Sequence, residues 1–530
     1  MMGESTMREI GLNHGPGLRR SNYASVCALA LALIALICQH RGSNAQAQAD
    51  IPVMLQPNLA VRTVVSRLAV PTSMAFLDYS DFLVLEKNTG KVQRVVDGQI
   101  LGEVLDLAVN FASERGLLGI ALHPSFPRNP RIYLFWTCRS MRSPASPFMP
   151  DERACSDTNM FGGDTDNILD VPLLGNRVDS FFWTGSRLIY DRNLVKLRAY
   201  QNDGAPIPPN QDDGEQPPRA NHNAGVLRFG PDGKLYILFG DQGRRGWLQN
   251  NMQGPVPDDQ FGGPEPDEAH FTGVILRLND DGTVPADNPF FDAGRNIGGE
   301  IGRNIQKIFA YGIRNSFGMA FDPRSGQLWI EENGEDAFDE INRVEPGMNG
   351  GWIEIIGPVE RIAQYKSIET TSLHGEDFPN LQQFRWPPSR IADSPAEALS
   401  RLFVLPGSHY SDPEFSWKYV LAPAGIGFLN GGGLGGQYNG ELFLGFAVPA
   451  PLNGPLFHFK LSPDRRTIAV DDPRLQDRVA DNLDFNDLTE SESLLIGRNF
   501  GIVTDIQTGL NDNLFVVSLS RGAVYEIHRR

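Results

Sequence analysis

Positive charge is in short supply in this sequence. The 530-residue chain carries 47 Lys+Arg against 64 Asp+Glu, a formal net charge of -17. A surface that tracks phosphates needs clustered cations, so this balance argues against a nucleic-acid binder. Cysteine is scarce too, at 4 residues, which limits covalent cross-linking to two bridges at most. Continuous helical periodicity is nearly absent, and beyond residue 38 no apolar run approaches bilayer-spanning length. Neither an H-E-x-x-H zinc helix nor a G-x-S-x-G nucleophile elbow occurs. What is plentiful is Gly (55) and Pro (38), an excess that favours turns over long helices. With 41% hydrophobic and 21% charged residues the chain is ordinary for a globular protein and too apolar for a disordered one.

Residues 24–38 read ASVCALALALIALIC, after Arg19-Arg20 and before Ala45-Gln46-Ala47. A basic start, a short apolar core and a small-x-small site predict a secretory signal peptide over residues 1–47. As a helix the run would rise about 22 Å, short of the roughly 30 Å hydrocarbon core, which disfavours the competing reading of a permanent anchor. The remaining chain is expected to be exported, periplasmic or extracellular, with no stable membrane anchor. Cleavage removes Cys27 and Cys38 and leaves Cys138 and Cys155 around a Pro/Ser-rich loop. An even pair in an exported protein reads as a disulfide, with two free thiols as the alternative.

Short apolar triplets beside turn residues recur through the rest of the chain. They are Phe82-Leu83-Val84, Ile132-Tyr133-Leu134, Leu235-Tyr236-Ile237, Leu328-Trp329-Ile330, Leu442-Phe443-Leu444 and Leu514-Phe515-Val516. Aromatic and β-branched runs of this length between Gly/Asn/Asp clusters are strands. Six such units, each with room for further strands, predict an all-β fold: a six-bladed β-propeller with loop insertions, occupying residues 51–530 as one domain. The insertions fall at about 202–219, 254–270 and 354–410. The clearest helix start is Ser394, with Pro395 at the first position and Glu397 three residues on. Gly431 to Gly436 satisfy G-x-G-x-x-G but lead into a strand, so they do not mark a dinucleotide site.

Five stretches, ERGLLGIALHPSFPRNPRIYLFW, NHNAGVLRFGPDGKLYILFGDQG, GVILRLNDDGTVPADNPF, YGIRNSFGMAFDP and DEINRVEPGMNGGW, together resemble the glucose/sorbosone dehydrogenase family. The resemblance runs from about residue 61 to residue 527 and is strongest over 114–352. It implies a six-bladed propeller that oxidises an aldose at its hemiacetal carbon. Hydride would pass to pyrroloquinoline quinone (PQQ) beside calcium, and an external acceptor would take the electrons.

On this resemblance His222 matches the general base, a role suited to a neutral imidazole. Taken alone, a His in a loop before a strand is more often structural. Arg314 and Asn315 match the pair that hydrogen-bonds the quinone, where a guanidinium would stabilise growing negative charge. Backbone carbonyls at Gly334 and Glu335 match catalytic-calcium ligands, and Glu340 matches a ligand of a second calcium. The acidic run 331–340, Asp339 included, suits a hard cation, although such a run is usually a solvated turn.

Glu114 and Asn221 occupy cofactor-binding positions where the family has glutamine and aspartate, and Glu335 stands where proline is usual. Leu452, Ile502 and Thr504 stand where the sugar dehydrogenases place a lysine and two arginines against the cofactor carboxylates. Arg498, Arg244, Arg245 and Lys418 are candidates to replace them. The other readings these departures leave open are a non-catalytic calcium-containing propeller that binds carbohydrate or protein, and a calcium-dependent lactonase.

Overall fold

A computed structural model describes residues 51–111, 114–138, 176–197, 222–241, 272–371, 391–448 and 453–530. The signal peptide, Cys155, Asn221, Arg244, Arg245, Leu452, the two insertions at 202–219 and 254–270, and part of the third lie outside these residues.

The second strand of each sheet explains the periodic triplets. In the first blade Pro71–Asp78, Asp81–Glu86, Lys91–Val96 and Gln99–Asp106 pair antiparallel in chain order. The turn between the last two strands is Asp97-Gly98, with φ 48° and 76°. Both residues in the left-handed region is what a two-residue hairpin of the right twist requires, and Asp-Gly supplies it. Phe82-Leu83-Val84 belongs to the second strand, and the other five triplets occupy the second strand of five other sheets. Those strands are buried on both faces, because side chains of adjacent blades interleave. One core cluster joins Tyr133 and Phe135 to Leu235, Ile237 and Phe239. A strand covered on both sides reads as a continuous apolar run rather than an alternating one.

The described strands thus form an all-β propeller. Its innermost strands are Pro71–Asp78, Leu117–Leu122, Val226–Phe229, Met319–Phe321, Pro423–Phe428 and Val503–Thr508. Each packs on the next, and the last returns to the first, closing a ring around the axis. Close approach inside the ring explains Gly119, where a Cβ would lie 2.1 Å from the Gly225 carbonyl oxygen.

The expectation of six equivalent units is corrected in one respect. Five sheets take their four main strands in chain order, although Val53–Met54, from the start of the described chain, joins the outer edge of one of them. The remaining sheet is composite: Leu59–Ser66, from the beginning of the described chain, adds to Ala523–Arg529 beside two other C-terminal strands. Pairing the two ends of the chain in one sheet leaves no open edge between first and last strands.

The insertion after residue 354 supplies two short helices, Ile362–Thr371 and Pro395–Arg401. The second begins as expected: the Ser394 side chain accepts from the Glu397 N–H at 3.3 Å. Among the described residues no helix is long and apolar enough to cross a membrane.

Candidate active site

The chain enters each innermost strand at the same end of the ring where it leaves the antiparallel second strand. That end therefore collects short loops from every blade. His222 lies just before Val226–Phe229, Glu114 before Leu117–Leu122, and Arg314-Asn315 before Met319–Phe321. Asp241 follows the second strand Leu235–Phe239, and Glu331-Glu332 end the second strand Leu328–Glu332.

The His222 Nδ1 lies 2.5 Å from Asp241 Oδ1, with both side chains buried. The other oxygen of Asp241 accepts the Trp352 indole N–H at 2.7 Å. Burial pushes the Asp241 carboxyl up, but the His222 charge and hydrogen bond outweigh it, with help from Arg314, and hold it below its ordinary value. In the neutral imidazole, a proton shared with an ionised Asp241 sits on Nδ1 and the lone pair of Nε2 faces away from it. Behind the imidazole, the His222 N–H donates to Glu114 Oε2 at 2.6 Å. Asn315 Nδ2 donates to the same oxygen at 3.2 Å. Gly240 is required here, since a Cβ would lie 2.3 Å from the His222 carbonyl oxygen.

Arg314 is the cation of this group and is itself buried. Its guanidinium donates to the Asn333 carbonyl at 2.9 Å, pairs with the Glu335 carboxylate and lies 5.4 Å from the Trp352 ring centroid. Burial opposes the charge on Arg314, but the Glu335 and Asp241 carboxylates raise its pKa above the usual value. The loops are stitched together by backbone as well: Asp241 N–H donates to the Arg314 carbonyl and Asn333 N–H to the Asn315 carbonyl, both at 2.8 Å. The Arg314 N–H donates to Glu332 Oε1 at 2.5 Å.

The acidic run does not act as one cluster. Asp339 and Glu340 are neighbours on the strand Ala337–Val344, so their side chains leave opposite faces of the sheet. Asp339 accepts the N–H groups of Gly334 (2.9 Å), Leu421 (2.5 Å) and Ala422 (2.8 Å). Glu340 accepts Gly357 N–H at 2.5 Å and Asn342 Nδ2 at 2.8 Å. Burial pushes Asp339 up to about 6 and Glu340 up to about 7. Among the described residues no group of three or more His, Cys, Asp or Glu side chains is placed to hold a metal ion.

The structure thus brings together His222, Glu114, Arg314, Asn315 and Glu335, gives Asp339 to backbone donors, and gives Glu340 to the Gly357 N–H and the Asn342 amide. Asp241, Trp352 and Glu369 were not singled out from the sequence. Asp241 and Trp352 sit in FGDQG and NGGW, each at the end of a strand on the site's side of the ring. Glu369, on the insertion helix, accepts the Asp336 and Ala337 N–H groups at 3.1 Å each. Nothing local in the sequence ties that helix to the hairpin.

The opposite side of the ring is different. Ile502 donates its N–H to Ser520 Oγ at 2.8 Å, and Thr504 donates its hydroxyl to the Pro71 carbonyl at 3.3 Å. Of the described candidates to replace cations there, Lys418 lies 5.1 Å from the Tyr419 ring centroid. Arg498 is exposed on a strand paired with Val53.

The profile of the Glucose / Sorbosone dehydrogenase family matches residues 68–148 and 212–401, just over half of the chain. The chain is 26% identical over 472 residues to quinoprotein glucose dehydrogenase B of Acinetobacter calcoaceticus, covering 82% of this chain and 86% of that protein. It is 36% identical over 296 residues to the aldose sugar dehydrogenase YliI of Escherichia coli, covering 55% and 61%. Among solved structures, the apo form of the soluble aldose sugar dehydrogenase of Escherichia coli superposes with a TM-score of 0.55 at 22% identity, covering 89% of this chain and all of that one. That likeness speaks for the fold alone, whereas the match to the family profile spans Glu114, His222, Asp241, Arg314, Asn315 and Glu335. The chain belongs to the glucose/sorbosone dehydrogenase family.

Proposed function

We propose that this protein is an exported sugar dehydrogenase that oxidises the hemiacetal carbon of an aldose, with PQQ and calcium as cofactors. The observation that carries the reading is the buried His222–Asp241 pair at 2.5 Å, facing Arg314. His222 takes the proton of the anomeric hydroxyl at Nε2. Asp241, held by Trp352, stabilises the imidazolium that forms. When bound, the quinone supplies a two-electron acceptor for the hydride leaving the same carbon. Arg314 and Asn315 would hold its reacting edge, with Glu114 beside them; Asn221 is a further cofactor contact on the sequence resemblance alone. The carbonyls of Gly334 and Glu335 would hold calcium, which supplies Lewis acidity when bound; Asp339 and Glu340 shape the backbone around them. The donor set fits the reacting edge. It does not fit the carboxylate end at Ile502 and Thr504, where neither side chain carries a charge.

The reading includes cleavage after residue 47, a Cys138–Cys155 disulfide, and one propeller domain over residues 51–530 with the composite sheet as its sixth blade. The neutral carboxylate end favours one other reading, a calcium-containing propeller that binds carbohydrate without oxidising it.

The test is dye reduction by the mature protein with PQQ, calcium and a panel of aldoses. Turnover should fall about 10²–10⁴-fold in His222→Gln. Absence of any sugar-dependent reduction sinks the proposal, and sugar binding without reduction supports the alternative.

A further inference from the structure

We propose that Glu335 is a displaceable latch on Arg314, occupying the guanidinium until an electron-accepting ligand takes its place. The inference rests on the reading of this end of the propeller as a redox-cofactor site, and concerns which of the chain's own groups a cofactor must move aside.

The ion pair joins two side chains that are 8% and 9% exposed, beside the His222–Asp241 pair and over the face of Trp352. An ionised carboxylate is the kind of partner that a developing oxyanion or an anionic cofactor would offer the same guanidinium, so the two compete for one set of donors. The backbone around Glu335 is pinned from both sides. Asn333 N–H donates to the Asn315 carbonyl, and Gly334 N–H to Asp339 Oδ1. Beyond it, Asp336 and Ala337 N–H both donate to Glu369 on the insertion helix. The hairpin therefore stays in place while the Glu335 side chain changes rotamer. Release of the latch is a side-chain rotation and not a loop opening. Arg314 is meanwhile kept aligned by the Asn333 carbonyl and the Trp352 ring, which do not depend on Glu335.

The latch predicts that removing the carboxylate tightens binding of the anionic cofactor, because nothing then has to leave. PQQ affinity is measured for the full-length mature protein in calcium buffer by quenching of tryptophan fluorescence. The comparison is of wild type, Glu335→Ala, Glu335→Gln and the double variant Glu335→Ala/Arg314→Met, with folding checked by circular dichroism. Both single variants should bind about tenfold more tightly or better, and the double variant should lose the gain. Equal or weaker binding by both single variants, with wild type still binding, overturns the latch and leaves the cofactor reading standing. No binding by any protein overturns the latch together with the cofactor reading. Failure of both single variants to fold also overturns the latch, since a displaceable partner cannot be indispensable to folding.

Discussion

The two sides of the propeller's loop-bearing end are built on opposite principles. On one side, His222, Asp241, Arg314, Glu332 and Glu335 are buried charges or potential charges held by short contacts to one another and to backbone. On the other, Ile502 and Thr504 offer an alkyl group and a hydroxyl, and their polar atoms are spent on Ser520 and Pro71. Both sides rest on the same ring of innermost strands. The same ring thus carries buried ion pairs on one side and uncharged side chains at residues 502 and 504 on the other.

Breaking the charged side should have the largest effect. Arg314→Met strips buried Glu335 and Asp241 of their shared cation, and breaking a buried pair by removing one partner costs about 3–5 kcal/mol. Urea unfolding should show a loss of that order; a loss below about 1 kcal/mol would mean that the charged side is solvated.

Glu354 measures how dry that side is. It is buried at the head of the insertion, with Oε2 lacking a hydrogen-bond partner. Burial pushes its carboxyl up to about 8, with Glu397 adding to the rise and Arg401 opposing it. A carboxyl raised in the folded state keeps its proton where the unfolded chain loses it, so stability falls as pH climbs from the ordinary carboxylate range towards 8. Glu354→Gln removes that dependence and should stabilise the protein by roughly 2 kcal/mol more at pH 7 than at pH 5. Equal gains at both pH values in thermal unfolding would contradict it.

The smallest effect sharpens the neutral side. Thr504→Arg adds a cation at a position whose own side chain carries none, and PQQ binding should tighten about tenfold at low salt, less at high salt. If affinity does not change, the anchoring comes from elsewhere in the chain.

Much of the fold was legible. The six triplets lie in second strands because burial on both faces makes a strand uniformly apolar, and Asp97-Gly98 and Ser394 mark a hairpin and a helix start by local chemistry alone. His222, Arg314, Asn315 and Glu114 were found through the family resemblance and do converge. The acidic run was legible only as composition. Strand alternation sends Asp339 and Glu340 to opposite faces, so adjacency in sequence did not become adjacency in space.

The family resemblance marked which loops bear the reactive residue types, whereas local chemistry by itself marked where strands and turns fall and that they repeat as blades. These depend on neighbours in sequence, through burial patterns and backbone dihedrals. Which charges meet was decided only by closure of the ring. Glu114 reaches His222 across 108 residues and Asn315 across 201, and Trp352 reaches Asp241 across 111. Such pairings carry no periodicity, because the intervening strands can change length without moving the loop ends that the blades bring together.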